Sequence, residues 1–335
     1  MENTGNYLVS RPAAQASACQ VIAVVGPTAT GKSQLAEFLA QQLNGEIISA
    51  DSMQVYRGMD IGTAKVPLSE RSTTYHCIDL VSPAQEFNIF AYQQEARKAI
   101  ADILARAQQP ILCGGSGLYV RAALDDFVLS DPQPPANQAG LQADGSAAQH
   151  ERAARRESLT KEANELGPQA FHAKLAALDP RSAGLIHPNN VRRLVRAFEW
   201  LDDGSSYAEQ TQGFRAYKCF YPTLYIGLEL PRAELYERIN ARVEQMLEAG
   251  LLAEVETLLD SGLELPQTAA QAIGYKELRE VLLGTQSLEA AVEQIKQATR
   301  RYAKRQLTWF KRDERIHWLD ARLSLDSLAA AIGRL

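Results

Sequence analysis

The chain has 335 residues, 46% hydrophobic and 22% charged, with a formal net charge of −5; this suits one large or two ordinary soluble domains that need no staples. No apolar run approaches the ~20 residues needed to span a bilayer, and the polar stretch 1–20 lacks the apolar region of a secretory signal, so a flexible leader and no membrane partner are expected. Cys19, Cys77, Cys113 and Cys219 are far apart with no histidine clustered beside them, which argues against a disulfide framework or a zinc site and for a reducing cytoplasm.

In chain order, Val21–Val25 is a continuous apolar run ending at Gly26-Pro27, the pattern of a buried parallel strand. Residues 33–43 place Leu35, Leu39 and Leu43 at helical spacing, and Asn44-Gly45 supplies a left-handed stop. Residues 46–51 read as a second strand, 89–107 as a helix, and 110–113 as a third strand running into Gly114-Gly115-Ser116-Gly117. This alternation favours a doubly wound α/β fold. Residues 131–150, with Pro132, Pro134 and Pro135 and no Lys or Arg, read as a mobile loop. Helices are expected at about 151–166, 167–178, 190–202, 232–249 and 288–312, interrupted by one strand at 223–230. The expected organisation is a leader (1–20), the first part of an α/β core (21–130), the loop (131–150), a helical insertion (151–222), and a return to the core with C-terminal helices (223–320).

Gly26-Pro27-Thr28-Ala29-Thr30-Gly31-Lys32-Ser33 satisfies GxxxxGK[ST] between a buried strand and an amphipathic helix, the context that makes this motif a phosphate-binding P-loop. Its glycines let the backbone turn successive N–H groups inward, and the helix adds its positive end. Lys32 supplies a charge to terminal phosphates, and the Ser33 hydroxyl is a ligand for Mg²⁺. Asp51 ends the second strand and is expected at the rim that holds the phosphates, with that strand lying beside the first. It can serve as a metal-shell residue, as a general base, or as a cap for the turn 51–54. The turn Gly114–Gly117 is either a close approach of backbone to a ligand or a plain tight turn. Despite the acidic total, Arg300, Arg301, Lys304, Arg305, Lys311, Arg312 and Arg315 cluster, as do Arg192, Arg193 and Arg196. Such patches decide where a polyanion docks.

The P-loop together with the run from Ser49 to Lys65 closely resembles the tRNA dimethylallyltransferases, also called tRNA isopentenyltransferases. Further matching blocks are Gly114 to Tyr119, His187 to Arg193, Ala272 to Lys276 and Ala303 to Phe310, all in the family's order. The resemblance implies a P-loop NTPase-like parallel-sheet core with a mainly helical tRNA-binding attachment. It implies transfer of a dimethylallyl group from dimethylallyl diphosphate to the exocyclic N6 amine of the adenosine 3′ of the anticodon, releasing diphosphate. By the same resemblance Asp51 is the base; Asp51, Ser52, Met53 and Gln54 contact tRNA, as do Ser116, Arg156, Arg192, Arg193 and Arg196; and Arg242 binds the diphosphate with Lys32 and the P-loop. The length of 131–150 makes Arg156 the loosest of these matches, and Arg192 stands where several members have Gln.

The implied partners are the anticodon stem-loop of tRNA and dimethylallyl diphosphate, with Mg²⁺ as cofactor and a monomeric enzyme expected. The rival readings are an ATP-dependent small-molecule or nucleoside kinase, which would use the same P-loop and Asp51, and a nucleotide-switched RNA-binding protein. The kinase leaves the basic helices and the block from Asp51 to Lys65 unexplained, and Asp51 at the rim and the absence of an obvious switch segment weigh against the switch.

Overall fold

The computed structural model describes residues 19–127, 145–211, 217–262 and 267–335. Residues 1–18 of the leader expected at 1–20, and residues 131–144 of the loop expected at 131–150, lie outside the described residues. Two compact units are present: one joins the chain up to Asp125 with everything from Cys219, and the other is Asp126–Lys218.

The first unit begins β1 (Val21–Val25), α1 (Lys32–Leu43), β2 (Gly45–Ser49), β3 (Tyr75–His76), α2 (Ile89–Ala105), β4 (Gln109–Gly114) and α3 (Gly117–Leu124). The second unit is helical, with α4 (Gly145–Leu166), α5 (Pro168–Leu178), α6 (Pro180–Ala183), α7 (Val191–Asp202) and α8 (Tyr207–Gln210). The first unit resumes with β5 (Thr223–Glu229), α9 (Arg232–Glu248), α10 (Leu251–Asp260), α11 (Gln267–Ala270), α12 (Tyr275–Leu282), α13 (Leu288–Phe310), β6 (Ile316–Asp320) and α14 (Leu325–Ile332).

All strands pair in parallel in the order β3-β2-β4-β1-β5-β6. The expectation that β2 lies beside β1 is corrected: β4 separates them. The connection through α1 spans two strand spacings, about 10 Å, and β4, whose Ile111 and Leu112 are fully buried, fills the slot. Register keeps the consequence that matters. Val25 pairs with Gly114 and Ser49 with Cys113, so the three strands end level at one rim.

One apolar cluster packs α1 and α14 on the sheet through Leu35, Leu39, Ile47, Ile111 and Leu328. Asn44, at φ 49, ends α1 with its N–H on the Ala40 carbonyl, and Gly45 already belongs to β2. A second cluster joins Val55, Tyr56 and Met59, just past β2, to Val243, Leu251, Val255 and Ile295 of the C-terminal helices. The Asp126–Lys218 unit has its own core, centred on Phe171 and Phe198 with rings 4.8 Å apart.

Residues 145–150 form the start of α4 instead of the end of a loop; their Ala and Gln content suits a helix continuous with 151–166. The short edge strands β3 and β6 carry no clear apolar pattern, and β6 is mostly half-buried. Among the described residues no helix is long and apolar enough to cross a membrane.

The C-terminal end of α3 carries a buried ionic cluster. Asp125, 1% exposed, accepts from Arg121 Nε at 2.5 Å and from Arg315 Nη1 at 2.7 Å, while Arg315 also pairs with Asp313. Arg315 thus tethers the stretch before β6 to α3 and is no part of a solvent-facing basic patch. Removing the shared carboxylate takes a buried ionic acceptor from both guanidiniums, although Arg315 keeps Asp313, so Asp125→Ala is expected to destabilise the protein by about 3–5 kcal/mol in urea unfolding. A loss below about 1 kcal/mol would contradict this role.

Candidate active site

The P-loop leaves β1 and enters α1 at the level rim. Gly26 has φ 136, and a Cβ there would lie 2.5 Å from the Leu228 carbonyl oxygen of β5. Gly31, at φ 82, is the left-handed residue that starts α1. Thr30 Oγ1 donates to the Pro27 carbonyl at 2.9 Å and braces the loop from inside. The Thr28 N–H donates to Gln306 Oε1 at 2.9 Å, and Lys32 Nζ donates to the Pro27 carbonyl. Gly26, Pro27, Thr28, Ala29, Thr30, Gly31, Lys32 and Ser33 therefore form a closed turn already braced by its own residues and by α13.

Two cavities open at this rim. The smaller, about 90 Å³, is lined by Lys32, Ser33, Ser49, Cys113, Gly114 and Gly115 among others. The larger, about 290 Å³, has an apolar wall of Ile239, Val243, Met246, Leu251, Ile273 and Ile295. They share Thr28, Asp51, Thr63, Ala64, Arg242 and Tyr302. A phosphate-sized polar chamber thus adjoins an oily one, with a carboxylate and a guanidinium in the common wall.

Burial pushes the Asp51 carboxyl above its ordinary value, opposed by the Met53 N–H and by the charges of Lys32 and Arg242. Asp51 Oδ1 accepts from that N–H at 2.8 Å, so the carboxylate does cap its turn. A carboxylate has further acceptor sites, and the cap occupies one of them. Burial brings Lys32 down to about 8. The Arg242 guanidinium is also lowered by burial, with Asp51 pulling the other way. Among the described residues Arg242 makes no hydrogen bond or ion pair, which leaves its donors available to an anion.

Ser116 starts α3, receives the Ser52 N–H at 3.4 Å, and sits 3.4 Å from the Tyr302 hydroxyl. Burial pushes that hydroxyl up to about 12, aided by the nearby Asp51 charge. Ser52 and Met53 line the larger cavity. The Gln54 amide is engaged internally: it accepts from Ser49 Oγ at 2.8 Å and donates to the Thr63 carbonyl at 3.1 Å. The turn Gly114–Gly117 is close-packed on the protein itself. A Cβ at Gly115 would strike Gln306, and one at Gly117 would strike the Trp309 indole. Tyr302 and Gln306 of α13 are site residues that no spacing in the sequence marks. Gln306 is 5% exposed, and it joins the P-loop at Thr28 to the glycine turn at the Gly115 carbonyl.

The remaining basic candidates fall into two groups. In the second unit Arg192 and Arg193 are exposed and without ion pairs among the described residues, whereas Arg156 and Arg196 share Glu199 at 2.6 and 3.1 Å. Of the expected cluster from 300 to 315, Lys311 pairs with Glu229 at 2.6 Å, Arg300 donates to Asn240, and Arg315 is tied inward. Arg301, Lys304, Arg305 and Arg312 stay exposed.

Among the described residues no group of three His, Cys, Asp or Glu side chains could cage a metal. Ser33 and Asp51, both lining the smaller cavity, suit Mg²⁺ nonetheless. That ion binds through one or two protein oxygens together with phosphates and water.

The IPP transferase family model matches residues 54–313. The tRNA dimethylallyltransferase of Geobacillus thermodenitrificans is 45% identical over 303 residues, covering 90% of each chain. The full-length tRNA isopentenylpyrophosphate transferase of Bacillus halodurans superposes with a TM-score of 0.66 at 41% identity, covering 94% of both chains. A eukaryotic dimethylallyltransferase acting on tRNA superposes with a TM-score of 0.73 at 30% identity, over 90% of this chain and 74% of its own. The phosphate cradle, its level rim and these likenesses agree: the chain belongs to the IPP transferase family, that of the tRNA dimethylallyltransferases.

Proposed function

We propose that this chain transfers a dimethylallyl group from dimethylallyl diphosphate to the N6 amine of the adenosine 3′ of the anticodon in tRNA, releasing diphosphate. The observation that carries this reading is the common wall: Asp51 and Arg242 stand between a phosphate chamber and an apolar one. A diphosphate in the P-loop has its prenyl chain directed to the apolar side, and the amine meets it at Asp51. A kinase is not favoured, because its acceptor would be a polar alcohol with no use for this apolar wall.

The amine nitrogen forms its bond to the allylic carbon as the carbon–oxygen bond to diphosphate breaks, and the bonding pair leaves with the diphosphate. Charge therefore grows on the leaving group, in the chamber that Lys32, Ser33 and Arg242 line. Mg²⁺ held by Ser33, with Asp51 close by, would add neutralising charge to the departing phosphates when bound. Asp51 orients the amine and takes its proton once nitrogen is committed. Its raised proton affinity suits it to that final step. Ser116 and Tyr302 offer hydroxyls to the adenine, which must leave its stack to enter. Ser52 and Met53, which line the larger cavity, and Gln54, which lines the smaller one, contact the incoming tRNA with Asp51, and Arg156, Arg192, Arg193 and Arg196 engage its phosphates. A monomeric enzyme that meets tRNA in the cytoplasm completes this reading.

Asp51→Asn retains an oxygen for the Met53 N–H but removes the base. Unmodified tRNA should receive label from dimethylallyl diphosphate with the native chain and none from ATP. The variant should transfer about 10²–10⁴-fold more slowly with donor affinity kept; native single-turnover transfer by the variant would contradict the base role. Lys32 must be protonated to hold diphosphate, so donor affinity should fall as pH rises through about 8. Titration calorimetry without tRNA should show proton uptake at pH above that value, absent in Lys32→Arg; a flat profile in the native chain would contradict the assignment. Binding of tRNA should weaken steeply with salt, with each phosphate contact contributing about 0.7–0.9 to the logarithmic slope. Converting the exposed Arg301 and Arg305 to Gln should flatten that slope, and an unchanged slope would remove α13 from the contact.

A further inference from the structure

The segment from Gly58 to Lys65 is part of the block that resembles the family, yet none of the chemistry above uses it. It crosses from the apolar cluster at Met59 to the wall at Thr63 and Ala64, which face both cavities. Its fixed point is a single carboxylate on α10. Glu254 Oε2 accepts the N–H groups of Asp60 at 2.9 Å and Ile61 at 2.8 Å, and Oε1 accepts that of Gly62 at 3.2 Å. Oε1 also takes the Tyr275 hydroxyl at 2.5 Å. Three consecutive backbone donors on one anion form a nest, here filled from within the protein.

The packing admits little slack. A Cβ on Gly62 would run into the Tyr275 ring, so that ring lies directly against the strap. Downstream, Lys65 is buried and binds Asp60, Asp79 and the Tyr56 carbonyl at 2.5–2.6 Å, which closes the segment on itself. Gln54 then donates to the Thr63 and Ala64 carbonyls and accepts from Ser49 Oγ at the end of β2. A continuous set of hydrogen bonds thus runs from α10 to the turn that carries Asp51.

We propose that Glu254 is a positioning residue for prenyl transfer: it holds the strap so that Thr63 and Ala64 form the wall where allylic carbon and amine meet. The inference rests on the transferase reading above. A misplaced wall has two consequences. The amine and the allylic carbon lose alignment, and water gains access to the carbon. In that side reaction the water oxygen bonds to the allylic carbon and the carbon–oxygen bond to diphosphate breaks with its electron pair. The proton passes to solvent, and the product is dimethylallyl alcohol. The P-loop itself is braced by Gln306 and not by the strap, so donor affinity should fall much less than transfer, although Thr63 and Ala64 also face the phosphate chamber.

The test is single-turnover transfer to unmodified tRNA, with released dimethylallyl alcohol measured in the same samples. Donor affinity is measured separately without tRNA. Glu254→Ala should lower the transfer rate about tenfold to a hundredfold and raise the share of donor lost to water, while donor affinity falls much less than transfer. Glu254→Gln, which keeps one acceptor oxygen and turns an amide donor on the other donors, should fall between. Tyr275→Phe keeps the ring and removes one bond, so it should show a smaller loss of the same kind even if Glu254→Ala does not fold. Native transfer and native partition in these variants would overturn the inference, as would donor affinity falling in step with transfer. A native chain that transfers nothing overturns the transferase reading and this inference with it.

Discussion

Three parallel strands ending level is the constraint on which the rest of the site depends. With Val25 opposite Gly114 and Ser49 opposite Cys113, the turns after β1, β4 and β2 emerge side by side. The turn after β1 is the P-loop, the one after β4 is the packed glycine turn, and the one after β2 carries Asp51. A slip of one residue in any pairing would exchange the side chains that pack on the two faces of the sheet and displace the strand's turn along the rim. The interleaving of β4 costs the site nothing, because the distance between P-loop and Asp51 is bridged by the cavity they share.

Electrostatics at that rim is arranged to receive an anion. Lys32 and Arg242 are both lowered by burial, and Asp51 is raised by it. Buried charges are costly unless paired, and Arg242 has no partner among the described residues. In the proposed reaction a bound diphosphate would relieve the two cations together. As the carbon–oxygen bond breaks, the same cations would meet a growing negative charge, so their interaction would strengthen along the reaction coordinate. That is the requirement for binding energy to lower a barrier.

Much of this was legible in the sequence, for definite reasons. The P-loop announces itself because phosphate binding demands glycines, a lysine and a hydroxyl at fixed spacing between strand and helix. Asp51 could be placed at the rim because it ends an apolar run. The strand order could not be read, since continuous burial looks the same in β1, β2 and β4. Tyr302 was hidden, and Gln306 was visible only as one residue of the block from Ala303 to Phe310, because a long amphipathic helix shows which face is buried but not what it is buried against. Arg315 shows the opposite failure: in sequence it joins a basic cluster, whereas in space it belongs to Asp125 and Asp313. The strap from Gly58 to Lys65 was recognisable only as part of a family pattern, since its anchor, Glu254, lies far along the chain.

In this mechanism the P-loop holds a leaving group and does not deliver a phosphoryl group. The most direct measurement uses dimethylallyl diphosphate carrying heavy oxygen at the atom that bridges carbon and phosphorus. After one turnover with unmodified tRNA, mass spectrometry of the products reports which bond broke. Cleavage between carbon and oxygen predicts that all of the label leaves in diphosphate and that the prenylated tRNA carries none. Label retained on a dimethylallyl alcohol, with a diphosphoryl group found on the RNA, would show cleavage between oxygen and phosphorus and would contradict it.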